Sequence, residues 1–281
     1  MPLKRLTQQH ATQDGDGVNI ARIAAFRDLS LDPYLMVDEI RSDDASDYIG
    51  GFPPHPHRGI ETFTYIKKGG FEHRDHMGNV KAIRAGDVQW MSTGRGVIHS
   101  EMPLADATEG MHGFQIWLNM PASEKMRDPR YFDSYDSGLP TVALSDKSRV
   151  KALAGEWHFG QHTLSSPLQG LSGNGAIADV ELAAGESLAL AMSPPPSRTF
   201  VFCYQGSLAD PALGLGELAL AVPESNGELT FTAGAQGAHC LLLRGTPINE
   251  RIVHMGPFVM NTEAEIQQAI ADYRAGRIGT L

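Results

Sequence analysis

Two short motifs in this chain carry the residue types for metal chemistry: His55-Pro56-His57 and His99-Ser100-Glu101. Both are i, i+2 pairs. Along a strand, residues i and i+2 point to the same face. Two neighbouring strands bearing such pairs therefore aim three imidazoles and one carboxylate at a single point. That donor set suits a divalent ion: imidazole takes iron, copper, nickel or zinc, and the carboxylate adds a hard oxygen and a negative charge. Four protein ligands on a six-coordinate ion leave two positions for water, substrate or dioxygen.

The elements that must position these residues read as short strands spaced by turns. The first pair enters an alternating run, Thr62-Phe63-Thr64-Tyr65-Ile66, that ends at Gly69-Gly70. The second follows Gly86-Asp87-Val88-Gln89-Trp90-Met91-Ser92 and Gly94-Arg95-Gly96-Val97-Ile98. Gly113-Phe114-Gln115-Ile116-Trp117 also alternates, with Gln115 facing either a pocket or solvent. Upstream, two runs beginning at Val18 and Pro33 read as strands, and Asp43, Asp44 and Asp47 as a solvated loop. His73 and His76 sit in a polar hairpin segment. Their spacing does not alternate, so they rank behind the four ligands above. Phe52, Trp90 and Met91 fit an apolar pocket wall, but core packing is their simpler role.

The second half repeats the β pattern. Thr199-Phe200-Val201-Phe202-Cys203-Tyr204-Gln205-Gly206 can be laid on Thr62-Phe63-Thr64-Tyr65-Ile66-Lys67-Lys68-Gly69 without a gap. In that register Met192 and Pro194 stand where His55 and His57 stand. His239-Cys240-Leu241-Leu242-Leu243 echoes His112-Gly113-Phe114-Gln115-Ile116. The pattern predicts two like domains, with metal chemistry only in the first; the second serves stability and shields the site. The tail predicts a helix: Thr262-Glu263-Ala264-Glu265 is a capping box, Ile266, Ala269, Ile270 and Tyr273 form one apolar stripe, and Gly276 can supply the terminating turn. The stripe is expected to pack on the first domain.

Length and composition bound the rest. A chain of 281 residues can bury two cores. Its 30 glycines and 17 prolines favour a turn-rich β protein. A net charge of −10 argues against a nucleic-acid or anionic-membrane binder, which needs clustered Lys and Arg. No apolar run has the length of a membrane span. The start, MPLKRLTQQHATQ, lacks the apolar core of a secretory signal. Cys203 and Cys240 lie in apolar runs and read as buried, reduced thiols of a cytoplasmic protein.

On the residues alone the metal site allows a hydrolase using bound water, a dioxygenase, or a non-enzymatic protein holding iron as a structural or redox-sensing element. Three histidines and a carboxylate, without thiolate, fit oxygen chemistry better than a closed structural zinc site. No nucleophile elbow, Walker loop or dinucleotide-binding glycine motif opens a helix.

FPPHPHRGIETFTY, GDVQWMSTGRGVIHSEMP and GPFVMNTEAEIQQAIADYRAGRIG closely resemble the pirins, and bacterial pirin-like quercetinases in particular. The resemblance spans nearly the whole chain. Against the wider cupin pattern, one extra residue separates Glu61 from Gly69, and the last histidine falls two places late with Glu101 beyond it; pirins share both departures. The resemblance implies an all-β fold of two cupin-type (jelly-roll) barrels in tandem with a C-terminal helix. It implies His55, His57, His99 and Glu101 as ligands, with the usual cupin ligand Glu61 not one of them. It further implies a quercetin 2,3-dioxygenase-like activity that opens the central ring of a flavonol with dioxygen and releases carbon monoxide. Glu101 would then be both ligand and general base. The expected cofactor is one divalent metal per chain, Fe(II) first, with Ni, Co, Cu, Mn or Zn satisfying the same donors. Eukaryotic pirins suggest the alternative of an iron-binding regulator acting through a protein partner. The expected organisation is residues 1–120 as the metal-binding domain, 121–150 as connector, 151–260 as the second barrel and 261–281 as the helix, in a monomer.

Overall fold

The computed structural model describes residues 2–24, 29–222 and 227–281. Spatial proximity divides the chain into two units, residues 11–136 with 248–281, and residues 1–10 with 137–247.

The first unit is built around two antiparallel sheets, with a two-stranded pair, Val253–Met255 and Phe258–Met260, beside them in the same unit among the described residues. Four strands pair in the order Phe52–His57, Val97–Pro103, Gly70–Asp75, Val80–Arg84. Seven pair in the order Arg130–Ser134, Val88–Ser92, Ile60–Lys68, Met111–Asn119, Tyr34–Ser42, Val18–Ala24, His10–Asp14. The alternating runs become strands because β-branched and aromatic side chains suit a pleated, half-buried surface. Gly69 ends the Ile60–Lys68 strand at φ +78°, and a Cβ there would lie 2.4 Å from the Gly110 carbonyl oxygen, so only glycine fits.

The polar segment after residue 120, expected as a connector, is part of this unit as far as Asp136. Its Arg130–Ser134 strand pairs with Val88–Ser92. Lys125 is 1% exposed. Its ammonium donates to the Gly59 and Val259 carbonyls and to Asn119 Oδ1, at 2.8–2.9 Å. Burial pushes its pKa down to about 8. Composition alone misreads this segment, because three acceptors contributed from elsewhere allow a lysine to be buried.

The tail returns to the same unit. Thr262 caps the helix Glu263–Arg274 in the expected box with Glu265. Ile266 and Ala269 are buried against Ile98, Phe258, Met260 and Ile278. Tyr273 departs from the expected stripe: it is 41% exposed and meets Phe258 edge-on. Gly276 closes the helix at φ +69°.

The second unit centres on an 11-stranded sheet and an almost wholly apolar core that includes Trp157, Phe159, Phe231 and both cysteines. Met192 packs against this core. Cys203 and Cys240 are buried, free, and register partners on adjacent strands. The internal likeness extends to strand pairing. His112 pairs with Lys68, and His239 pairs with Gln205, which are equivalent positions in the ungapped alignment. Leu3–Gln8, expected in the first domain, instead pairs with Glu217–Ala221 of this unit. An edge strand offers unpaired backbone groups to any extended segment, and no local signal names the partner.

Candidate metal centre

Both i, i+2 pairs lie on strands, as their spacing predicts. Phe52–His57 and Val97–Pro103 are neighbours, and His55 and His99 are direct register partners. The His55 and His99 ring centroids are 4.4 Å apart, His55 and His57 4.7 Å, and His57 and His99 5.0 Å. These three imidazoles form a cluster with the spacing to hold a metal ion; His99 also clusters with Glu101 and His73. His57, His73, His99 and Glu101 are all buried.

The protonation states suit a ligand set. Burial, with His55 nearby, pushes His57 well below the ordinary histidine range, and burial beside His55, His57 and His73 does the same for His99. Both are therefore neutral, the form that ligates. His57 Nδ1 and His99 Nε2 are buried without a hydrogen-bond partner. His55 Nδ1 meets the Pro53 carbonyl at 2.8 Å. Orphaned imidazole nitrogens facing one point fit a divalent ion.

His73, set aside on sequence, proves to be the structural neighbour that orders His99. Asp75 Oδ2 lies 3.0 Å from His73 Nε2. Burial raises the Asp75 carboxyl, but hydrogen bonds from His73 and Asn79 outweigh it and hold the group below its ordinary value. An ionised Asp75 only accepts, so His73 Nε2 carries the proton and His73 Nδ1 is an acceptor. Gln89 Nε2 donates to that nitrogen at 3.1 Å, and His99 Nδ1 faces it at 3.4 Å. His99 Nδ1 is thus turned toward His73, and Nε2, the orphaned atom, is the nitrogen left to face a metal. The available signal was His73-Arg74-Asp75, itself an i, i+2 pair, on a strand paired with Val97–Pro103. His76 takes no part; its Nδ1 accepts from the Ile98 N–H. Asp75→Asn should weaken metal binding about 10- to 100-fold, as loss of a partner behind a ligand does elsewhere. Chelator competition on the folded variant measures it, and unchanged affinity would remove Asp75 from the site.

The seven-stranded sheet faces the ligands with its own polar groups. Gln115 Nε2 donates to Glu101 Oε2 at 2.9 Å. Thr64 Oγ1 lies 3.1 Å from Glu101 Oε1 and 3.0 Å from Gln115 Oε1. Its hydroxyl has one proton for two acceptors, so a proton arriving on Glu101 Oε1 would complete the network. Glu61 is three residues before Thr64 and so faces the other way. It is fully buried, accepting from Ser92 Oγ and Arg127 Nη2 at 3.0 and 3.2 Å, and belongs to neither cluster.

A cavity of about 580 Å³ opens onto His55, His57 and Glu101. Phe52, Trp117, Met36 and Pro257 contribute apolar walls, and Gln115 faces inward. Trp117 meets the His57 ring edge-on at 4.9 Å. Trp90 and Met91 are core residues, Trp90 stacking on Phe132.

The pirin family model matches residues 18–118, and the pirin C-terminal cupin domain matches residues 177–279. The chain belongs to the pirin family. Its fold of two cupin domains follows. A Vibrio cholerae protein named "Putative quercetin 2,3-dioxygenase" is 42% identical over 99% of this pirin and 98% of its own length. A "Pirin-like protein" of Caulobacter vibrioides is 35% identical, covering 98% of both chains. The crystal structure of quercetin 2,3-dioxygenase from Acinetobacter baumannii superposes with a TM-score of 0.87 at 30% identity, covering 100% of this chain and 99% of that one. No helix among the described residues is long and apolar enough to cross a membrane.

Proposed function

We propose that this pirin is a mononuclear metal-dependent dioxygenase that opens flavonols such as quercetin with dioxygen. His55, His57, His99 and Glu101 hold one divalent ion, iron(II) by our assignment, and Glu101 is the general base. The reading is supported by the names of the Vibrio and Acinetobacter relatives. The observation that carries it is the position of Glu101, which lines a partly apolar cavity together with two imidazoles and is hydrogen-bonded so that it can take up a proton.

A bound ion supplies Lewis acidity toward a substrate hydroxyl and one-electron chemistry with dioxygen. The chain supplies the rest. Phe52 and Trp117 pack on the flat faces of an aromatic substrate and exclude water. Glu101 receives the proton of the reacting hydroxyl on Oε1 and passes a hydrogen bond to Thr64, whose own proton turns to Gln115 Oε1. Gln115 Nε2 keeps Glu101 Oε2 in place throughout.

The test is oxygen uptake. Iron-loaded protein, mixed anaerobically with quercetin and then exposed to dioxygen, should bleach the flavonol and consume one dioxygen per flavonol. If metal analysis confirms loading and no oxygen is consumed across a flavonol panel, the dioxygenase reading fails. An iron-binding protein acting through a protein partner then takes its place.

A further inference from the structure

A second cavity, of about 290 Å³, lies in the same unit and shares no lining residue with the metal cavity. Arg58, Arg95 and Arg277 line it with His76, and Asp272 is the one carboxylate among its described lining residues. Consecutive side chains on an extended backbone point to opposite faces. His57 therefore serves the metal centre while Arg58 turns into this cavity.

Arg58 is 4% exposed. Its Nε donates to the Arg95 carbonyl and its Nη1 to Asp272 Oδ2 at 2.8 Å. Arg277 Nε donates to Asp272 Oδ1 at 2.8 Å, and Gln268 Nε2 donates to the same oxygen at 2.7 Å. The bond from Arg58 first, then those from Arg277 and Gln268, outweigh burial and hold the Asp272 carboxyl down to about 2. Donors remain unspent. Arg58 Nη2 has no hydrogen-bond partner among the described residues but is not sealed in protein, so it opens on the cavity. Arg277 Nη1 has no such partner either. His76 Nδ1 accepts from the Ile98 N–H, so its Nε2 carries the ring proton and is a further donor.

A carboxylate that clips the helix Glu263–Arg274 to the sheets needs one guanidinium. Three line this cavity. Among the described residues Asp272 pairs with Arg58 and Arg277, and Asp128 with Arg95. Three cations against two carboxylates leave one net positive charge.

We infer that this cavity binds the phosphoryl group of a small phosphorylated metabolite, held by Arg58, Arg95 and Arg277 with His76 as a neutral donor. Planar guanidinium forks take phosphate oxygens two at a time. Donors arriving from several directions match three terminal oxygens better than the two of a carboxylate. The cavity is larger than a phosphate, and Met126, Pro129 and Ile278 give the organic remainder an apolar wall. The site takes no part in the oxygen chemistry proposed above and stands without it.

Calorimetric titration of metal-loaded protein tests the site, with glycerol 3-phosphate and the dicarboxylate succinate as probes at about 0.15 M ionic strength. Glycerol 3-phosphate should bind saturably at one site per chain and more tightly than succinate. Arg277→Met and Arg95→Met should each weaken it about tenfold, the worth of one charge-assisted hydrogen bond. Arg58→Lys keeps the charge but loses the fork, and should weaken it at least as much. Arg95 and Arg277 line this cavity and not the metal cavity, so their losses distinguish the site from phosphate bound on the metal. No saturable phosphate binding by the wild type, or a preference for succinate, overturns the inference. So does an affinity unchanged in both Arg95→Met and Arg277→Met. If Arg58→Lys does not fold, those two variants still decide, because both side chains are more than half exposed.

Discussion

Glu101→Gln at saturating metal should lower turnover by about 100- to 10,000-fold, the usual contribution of a general base. The variant is a clean probe because it preserves the network around it. Its amide oxygen can accept from Gln115 Nε2, and its amide N–H can donate to Thr64 Oγ1, which then donates to Gln115 Oε1. It therefore mimics the protonated carboxyl, folds as the parent does, and has no basic site left. Loss of the negative charge should also weaken metal binding, so rates must be read at saturation. Glu101→Asp keeps the charge but shortens the reach by one methylene, and should retain part of both metal and activity. Near-normal turnover by metal-saturated Glu101→Gln would falsify the base assignment. The ligand assignment would then rest on the metal titration.

His99→Ala should cost metal affinity by on the order of 100-fold or more, beyond the effect of losing a partner behind a ligand. The substitution removes the orphaned Nε2 and also severs the chain from Asp75 through His73. On the proposed ligand set the wild type should bind one ion per chain, with His99 common to both candidate clusters. Elemental analysis after dialysis, with chelator competition for affinity, checks both statements. Two ions per wild-type chain, or full retention by the variant, would refute the assignment. The apolar core beside Trp157 and Phe159 makes a useful control region, because conservative changes there should alter stability without altering metal content.

Much of this protein was legible one segment at a time. The period of two in His55-Pro56-His57 and His99-Ser100-Glu101 put each pair on one face of a strand, whatever the strands' partners. Thr262 and Glu265 specified the helix start through hydrogen bonds that span three residues. The ungapped likeness of Thr199–Gly206 to Thr62–Gly69 carried the tandem repeat, because equivalent strands need equivalent alternation. The parity of the Glu61–Gly69 interval was visible too, and an odd shift in a strand moves a side chain to the opposite face.

Tertiary structure decided whatever depends on register between distant strands. Asp75 orients His99 only because Gly70–Asp75 pairs beside Val97–Pro103. Gln115 reaches Glu101 from the facing sheet, and Arg22 meets Asp38 across a bulged pairing. Lys125 is buried because its three acceptors arrive from residues 59, 119 and 259, and Leu3–Gln8 completes the second unit by joining a strand more than two hundred residues away. Local propensity and side-chain period are properties of a segment and can be read from it. Hydrogen-bond satisfaction of a buried polar group is a property of the assembled fold, since its partners come from wherever the chain brings them.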